Sequence, residues 1–465
     1  MTQFAIVILA AGKGTRLNTR RPKMLHEVGG KALLRHVVDA ARQIVQPNDI
    51  YVIVGHQAEE VKKAAVGVGV NFIPQTEQRG TGHAIQQAQP AVAGYEHFLT
   101  LSGDAPLIRP ETIARLRDFH LAQRAAMSVL TACPPDPQGY GRVLRKKDAP
   151  SEVDCIVEQR ALTQEQERIR EINAGIYAFA SRILFAHIGE LQANNAQGEL
   201  YLTDMAAILR RAGERVAALE AEDAAEVLGA NTIAEMMELD AALRLRTARR
   251  LMQKGVTVFR PETTVIDAEV EVGPDTVIEP FVQLLGQTRI GENCRIRSFS
   301  VLEDTVLGDG TLVRNGCNLE GSEIGRGAAI GPYTHLRAGS VIGDGAHLGN
   351  FVEVKNTRLG NNSKANHLAY LGDAEIGSAV NVGAGVITCN YDGYTKSRTT
   401  IGDGAFVGSD ATLIAPVHLG QGSYIGAGSC ITEDVPQDAL AVERSAQVVK
   451  EGWALKRRIR KSREA

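Results

Sequence analysis

Near its start the chain carries the string Leu9-Ala10-Ala11-Gly12-Lys13-Gly14-Thr15-Arg16-Leu17, followed by Arg21-Pro22-Lys23. Glycines in such a loop let backbone N–H groups close on phosphate oxygens, while Lys and Arg neutralise their charge. A Walker A loop is excluded, because no Gly-Lys-Ser/Thr closes the motif. The dinucleotide fingerprint fails too, because Leu17 stands where a third glycine is needed. The spacing predicts a phosphate-handling loop of another kind with Arg16 and Lys23 as its cations, and Lys13 is open to being a solvated side chain. A second candidate is Ser102-Gly103-Asp104, which follows an apolar run at 98–101. That places Asp104 at the carboxyl end of a strand, where α/β sheets bind ligands. A carboxylate there suits Mg²⁺, which takes one or two protein oxygens and completes its shell with phosphate and water. Taken alone, Asp104 is equally a strand-end cap.

These loops need elements to hold them. Short apolar runs at 4–10, 50–54, 98–101 and 127–131 alternate with helix-period segments such as 33–45 and 110–123, which predicts a mainly parallel α/β sheet. The apolar opening at 4–11 has no basic residue before it and a glycine loop after it, so it is read as a buried first strand rather than a signal segment. Residues 232–254 are rich in Ala, Leu, Met, Glu and Arg and contain no Gly or Pro, as a connecting helix should. The expected division is an α/β domain over 1–233, a linker helix over 234–254, and a different architecture over 255–465.

That last part is marked by a repeat. An aliphatic residue precedes glycine at 272, 290, 307, 324, 342, 359, 376, 401 and 419, in steps of 17 or 18 except once, with intermediate copies at 330, 348, 382, 407 and 425. Six-residue units, three to a coil, predict a parallel β-helix whose aliphatic residues stack inward. Spacing leaves its handedness open. The exceptional step, from Ile376 to Ile401, adds about seven residues within Cys389-Asn390-Tyr391-Asp392-Gly393-Tyr394-Thr395-Lys396, a projecting loop of the kind that carries function.

At 465 residues the chain exceeds one core, and its 44% hydrophobic and 23% charged fractions are those of a globular protein. A net charge of −3 gives no global attraction to nucleic acid or anionic lipid, so anionic ligands must be held by local cations. The six cysteines (133, 155, 294, 317, 389, 430) form no CxxC pair, zinc spacing or disulfide framework, which favours free thiols in a reducing cytoplasm.

The loop string is similar to the signature of sugar-nucleotidyltransferases, which join a nucleoside triphosphate to a sugar 1-phosphate. Over essentially the whole chain the sequence resembles one branch, the bacterial bifunctional N-acetylglucosamine-1-phosphate uridylyltransferases and glucosamine-1-phosphate acetyltransferases. The resemblance implies that Leu9, Ala10, Ala11, Gly12, Lys23, Ser102, Gly103 and Asp104 meet the nucleotide sugar, and that Gln75, Gly80 and Thr81 read the uracil. It assigns Gly141, Glu158, Asn173 and Asn231 to sugar and metal, with Asp104 and Asn231 holding one Mg²⁺. It also implies UTP and N-acetylglucosamine 1-phosphate as substrates. Three departures are Ser102 where Tyr is common, Ala174 where Thr is usual, and Asn366 where Gly often stands.

Four histidines fall in the repeat region, at 335, 347, 367 and 418, and each taken alone is more often structural. The segment Ser363-Lys364-Ala365-Asn366-His367-Leu368-Ala369-Tyr370 matches the family's catalytic segment, which makes His367 the expected base for acetyl transfer from acetyl-CoA to glucosamine 1-phosphate. By the same resemblance Glu353 orients His367, Arg337 and Lys355 hold the sugar phosphate, and Tyr370 and Asn381 contact the sugar. Ala384, Asn390, Tyr391, Ser409, Ala427 and Arg444 take acetyl-CoA. Cys389 is read as a bystander. The basic tail after Trp453 is a solvated end or a neighbour of the CoA phosphates. The fold implied is a Rossmann-like domain, a linker helix and a left-handed parallel β-helix that associates as a homotrimer, with no nucleic-acid or membrane partner. The competing reading keeps the nucleotidyltransferase and makes the β-helix a non-catalytic trimerisation module.

Overall fold

The computed structural model describes residues 4–195 and 197–464. Contacts divide the chain into two units, residues 1–246 and 247–465, and each is described by itself.

In the first unit, apolar runs become the strands of one sheet. Their order is Val216–Glu220, Met127–Ala132, Ile172–Ala180, His97–Ser102, Phe4–Leu9, Ile50–Val54, Asn71–Pro74. Phe4–Leu9 lies at its centre, parallel to both neighbours, and is buried because helices cover both faces. The expected mainly parallel sheet needs one amendment. Ile172–Ala180 runs antiparallel between His97–Ser102 and Met127–Ala132, so the sheet is mixed. Its pairing slips between Asn173 and Tyr177, where Gly175 takes φ 71°. Such a bulge re-aims the side chains on either side of it. The helix Ile233–Gln253 begins at a capping box: the Glu235 amide donates to Thr232 Oγ1 at 3.1 Å, and the Glu235 carboxylate accepts from the Asn231 amide at 2.7 Å.

The second unit winds into three parallel sheets of 11, 10 and 9 short strands, consistent with a left-handed β-helix. Each strand pairs with the one a coil away, and the aliphatic residues found from the repeat, among them Ile290, Leu307, Ile324, Ile342 and Leu359, stack in one continuous buried core. Buried hydroxyls hold the corners: Thr305 Oγ1 donates to Leu319 O and Thr357 Oγ1 to Leu371 O, both at 3.1 Å, so burial leaves neither unpaired. The expected extra loop follows the strand Ile387–Cys389, and pairing resumes at Ala374–Thr399.

One corner departs from what backbone preference allows cheaply. At the same turn of successive coils the chain takes positive φ at Phe281, Phe299, Gly316, Tyr333, Phe351, Leu368 and Gly385. Glycine is suited to this conformation, whereas a bulky side chain there is strained. The five large residues are nonetheless 48% to 65% exposed. Phe281 stacks on Phe299 at 5.3 Å and Tyr333 on Phe351 at 5.5 Å.

Among the described residues no helix is long and apolar enough to cross a membrane.

Candidate active sites

A cleft of about 600 Å³ opens at the carboxyl ends of the central strands, and the glycine loop forms one of its walls. Four of the expected residues converge there. The Lys23 ammonium pairs with the Asp104 carboxylate and donates to Asn231 Oδ1 at 3.2 Å. Arg16 donates to the same oxygen at 2.9 Å. Burial alone would raise the Asp104 carboxyl, but the charge of Lys23 and hydrogen bonds from Lys23 and Ser102 hold it below the usual carboxylate range. The backbone enforces this meeting. The Ala230 amide donates to Asp104 O at 3.2 Å, and a Cβ on Gly229 would stand 3.0 Å from the Asp104 carboxylate, a close approach that glycine eases. Gly14, at φ 61°, does the same for Lys23.

The metal donors are one carboxylate and one amide oxygen, both hard ligands. A cationic ammonium already sits against both of them, so the position accepts positive charge. No group of three or more His, Cys, Asp or Glu is arranged to hold a metal ion among the described residues. Two protein oxygens on a cleft wall fit a cation such as Mg²⁺, which draws its other ligands from phosphate and water.

Leu9, Ala11, Gly12, Gln75, Gly80, Thr81, Ser102, Glu158 and Asn173 also line the cleft. Gln75 is 3% exposed, and its amide donates to Gly80 O at 3.1 Å with His83 Nδ1 also 3.1 Å away. Asn173 Nδ2 donates to the Tyr177 hydroxyl at 2.8 Å across the bulge. Glu158 accepts from Thr203 Oγ1 at 3.0 Å. Three expected residues stand behind the surface. Ala10 is buried, Gly103 donates its amide to Leu9 O at 3.0 Å, and Gly141 accepts the Asn173 amide at 2.9 Å. Gly229, Tyr177, Glu199 and Thr203 join the site without belonging to any of the motifs above. Gly229 stands in plain view beside Asn231, whereas the other three carry no local signal.

In the β-helix the expected residues fall into two columns. The register Ala365–Val382–Val407–Ile425 puts His367, Ala384, Ser409 and Ala427 in one line, two residues further on. Backbone bonds join the line: Gly385 N to His367 O at 3.3 Å, Asp410 N to Ala384 O at 2.7 Å, Gly428 N to Ser409 O at 2.8 Å. Arg444 Nη1 closes it by donating to Ala427 O at 2.8 Å. Three coil steps span about 14 Å. His367 is exposed at one end of this row of small side chains.

The second column lies on the adjoining sheet. Arg337 and Lys355 occupy the same position one coil apart, next to the paired Glu353 and Tyr370. Asn381 belongs to the sheet of the first column, paired with Lys364 and Phe406. The partner of Glu353 differs from the expectation: its carboxylate accepts from Arg337 Nη1 at 3.3 Å, and no bond joins it to His367 among the described residues. The register accounts for this, since Arg337 is one coil from Glu353 on its own sheet and His367 begins the turn from another. In the inserted loop Asn390 is buried and donates to Asp373, while Tyr391 is exposed, its hydroxyl on Gly393 O at 2.6 Å.

The geometry thus offers a charge-neutralising cleft in one unit and, in the other, an imidazole at the head of an open track. Residues 6–200 match the MobA-like NTP transferase domain, 261–364 the GMPPB C-terminal domain, and 398–433 the bacterial transferase hexapeptide (six repeats). The chain is 59% identical to the bifunctional protein GlmU of Koribacter versatilis over 457 residues, 98% of this chain and 97% of that one. Identity to the protein of the same name from Solibacter usitatus is 50% over 456 residues (98% and 97%), and from Pelobacter propionicus 45% over 458 residues (98% and 99%). With such identity along nearly its whole length, this chain belongs to the bifunctional GlmU family.

Proposed function

We propose that the protein makes UDP-N-acetylglucosamine in two steps: acetyl transfer from acetyl-CoA to glucosamine 1-phosphate in the β-helix, then uridylyl transfer from UTP to the resulting N-acetylglucosamine 1-phosphate in the cleft. The product is a precursor for bacterial envelope synthesis. The observation that carries this reading is the convergence of Arg16, Lys23, Asp104 and Asn231, distant in sequence, on one point of the cleft.

In the cleft the sugar phosphate is already anionic, so its oxygen attacks the α-phosphorus without a general base, and the bond to the β-phosphate breaks to release pyrophosphate. Catalysis then rests on alignment and charge neutralisation. Arg16 and Lys23 stabilise the developing charge, Gln75, Gly80 and Thr81 hold the base, and Glu158 and Asn173 orient the sugar. Asp104 and Asn231 would hold Mg²⁺, which would supply neutralisation of the triphosphate charge.

In the β-helix His367 takes a proton from the sugar amine as the nitrogen attacks the thioester carbonyl. The tetrahedral intermediate collapses, and the departing CoA thiolate recovers that proton from the imidazolium. Arg337 and Lys355 bind the phosphate, and Glu353 steadies Arg337. Tyr370 and Asn381 contact the sugar. The row Ala384, Ser409, Ala427 carries the extended arm of acetyl-CoA, with Arg444, Asn390 and Tyr391 beside it.

The two columns flank a convex corner, so one chain leaves the acyl site open. The exposed residues in left-handed conformation, ending at Leu368 beside His367, support a homotrimer in which a second copy closes it. Sedimentation equilibrium checks this, with a trimer expected. Six free cysteines support a reducing, cytoplasmic setting. The functional division 1–233, 234–254 and 255–465 is part of the same proposal.

The test is a paired assay on the parent chain, His367→Ala and Asp104→Ala. It follows CoA release with glucosamine 1-phosphate, and pyrophosphate release with UTP plus N-acetylglucosamine 1-phosphate. Each substitution is expected to silence only its own reaction. A parent chain that releases no CoA leaves the β-helix a scaffold and overturns the bifunctional reading.

A further inference from the structure

Between the base-reading turn and the sugar-facing acid of the cleft runs a strap at residues 199–203. At one end its backbone grips the turn: the Leu200 amide donates to Arg79 O and the Gly82 amide to Leu200 O, both at 2.8 Å. The Leu202 amide adds a bond to Thr81 Oγ1 at 3.0 Å. The fit is close, since a Cβ on Gly80 would stand 2.5 Å from Leu200 O. At the other end Thr203 Oγ1 donates to Glu158 Oε1 at 3.0 Å. Glu199 and Thr203 both line the cleft.

Glu158 needs that donor. It is half-buried, the charges acting on it are the acidic Asp204 and Glu199, and its own charge is felt by the phenols of Tyr177 and Tyr201. Burial and those carboxylates push its carboxyl above the usual range, and the Thr203 hydrogen bond opposes them. No other side-chain hydrogen bond to the Glu158 carboxylate occurs among the described residues.

We propose that Thr203 is a positioning residue for uridylyl transfer: its hydrogen bond aims the Glu158 carboxylate at the sugar, and the strap ties that aim to the turn that reads the base. This rests on the proposed reading of Glu158 as a sugar ligand. A sugar hydroxyl donates well only to a carboxyl oxygen that is correctly placed, so losing the Thr203 hydroxyl weakens sugar binding.

The experiment measures pyrophosphate release by the full chain and its Thr203→Val and Thr203→Ser variants, varying UTP and N-acetylglucosamine 1-phosphate separately. Thr203→Val is expected to raise the KM for the sugar phosphate roughly ten-fold, as loss of a hydrogen bond to a charged group would. Its KM for UTP should stay within about two-fold. Thr203→Ser should restore parent behaviour. An unchanged sugar KM in Thr203→Val, or both KM values rising together without rescue by Ser, reduces Thr203 to packing and overturns the proposal alone. A parent chain that releases no pyrophosphate from this substrate pair overturns the underlying reading and the proposal with it.

Discussion

Lys23 and Asn231, 208 residues apart, meet through one hydrogen bond of 3.2 Å, and the oxygen that accepts it also accepts Arg16 at 2.9 Å. Asn231 therefore sets where both cations of the cleft stand, and the capping box at Thr232 and Glu235 fixes Asn231 in turn. Asn231→Ala is expected to lower the rate of pyrophosphate release by roughly 100-fold, comparable to loss of one oriented transition-state contact. CoA release from glucosamine 1-phosphate should be unaffected. Equal loss of both activities in the same preparation would mean that the substitution damages folding rather than the cleft.

Gly14 gives a second test of placement because its conformation sets where Lys23 stands. Its φ of 61° suits glycine, and a Cβ there would stand 2.7 Å from Lys23 Cβ. Gly14→Ala therefore strains the loop by about 1–2 kcal/mol and displaces Lys23. The expected result is a fall in kcat for pyrophosphate release of roughly ten-fold or more. A variant with parent kcat would show that Lys23 tolerates displacement.

Much of this is legible in the chain, for physical reasons. Arg16, Lys23 and Asp104 stand out through their joint placement, two cations just after a glycine loop and a carboxylate at the end of an apolar run. The coil is legible because a solenoid must repeat its inward aliphatic residue. The row Phe281, Phe299, Gly316, Tyr333, Phe351, Leu368, Gly385 follows the same step of 17 or 18, yet its residue types alone do not mark it. Exposure and left-handed backbone, which only the fold reveals, make it unusual. The antiparallel placement of Ile172–Ala180 is not legible, since an apolar run does not state its direction. Thr203 is not legible either: it lies 45 residues from Glu158, and only the fold brings them together. For Glu353 the fold adds a partner that no motif names, since its carboxylate accepts from Arg337.

The row headed by His367 predicts a steric test. Ala384, Ser409 and Ala427 leave an open track along the corner, and Gly408 lets the coils approach closely, since a Cβ added there would stand only 2.5 Å from Ala427 N. A large side chain at the middle of the row, Ser409→Phe, should obstruct the acetyl-CoA arm. The KM for acetyl-CoA is expected to rise at least roughly ten-fold, with pyrophosphate release unchanged. Unaltered acetyl-CoA kinetics would move the donor off this row.

A buried histidine pair predicts how the first unit responds to acid. His97 Nδ1 lies 3.1 Å from His120 Nε2, and His120 Nδ1 lies 2.9 Å from Ser128 Oγ. His120 is fully buried, and burial followed by the neighbouring His97 depresses its imidazole from 6.5 to about 3. His97 is also lowered, by burial, partly offset by Glu96. Two imidazoles share a hydrogen only if one supplies a lone pair, so the pair is lost once both rings are protonated, and burial is what resists the proton on His120. In the unfolded chain His120 takes its proton near pH 6.5, while in the folded chain it refuses it until about pH 3. The unfolded state binds more protons throughout that window, so stability is fully present above pH 6.5 and is lost as pH falls toward 3. The loss from His120 is at most about 1.4 kcal/mol per pH unit. Calorimetry between pH 7.5 and pH 5 should show the transition of the first unit falling in the parent chain, and falling less steeply in His120→Gln. Because Gln cannot accept a proton in this range, identical slopes in the two proteins would place the acid sensitivity elsewhere.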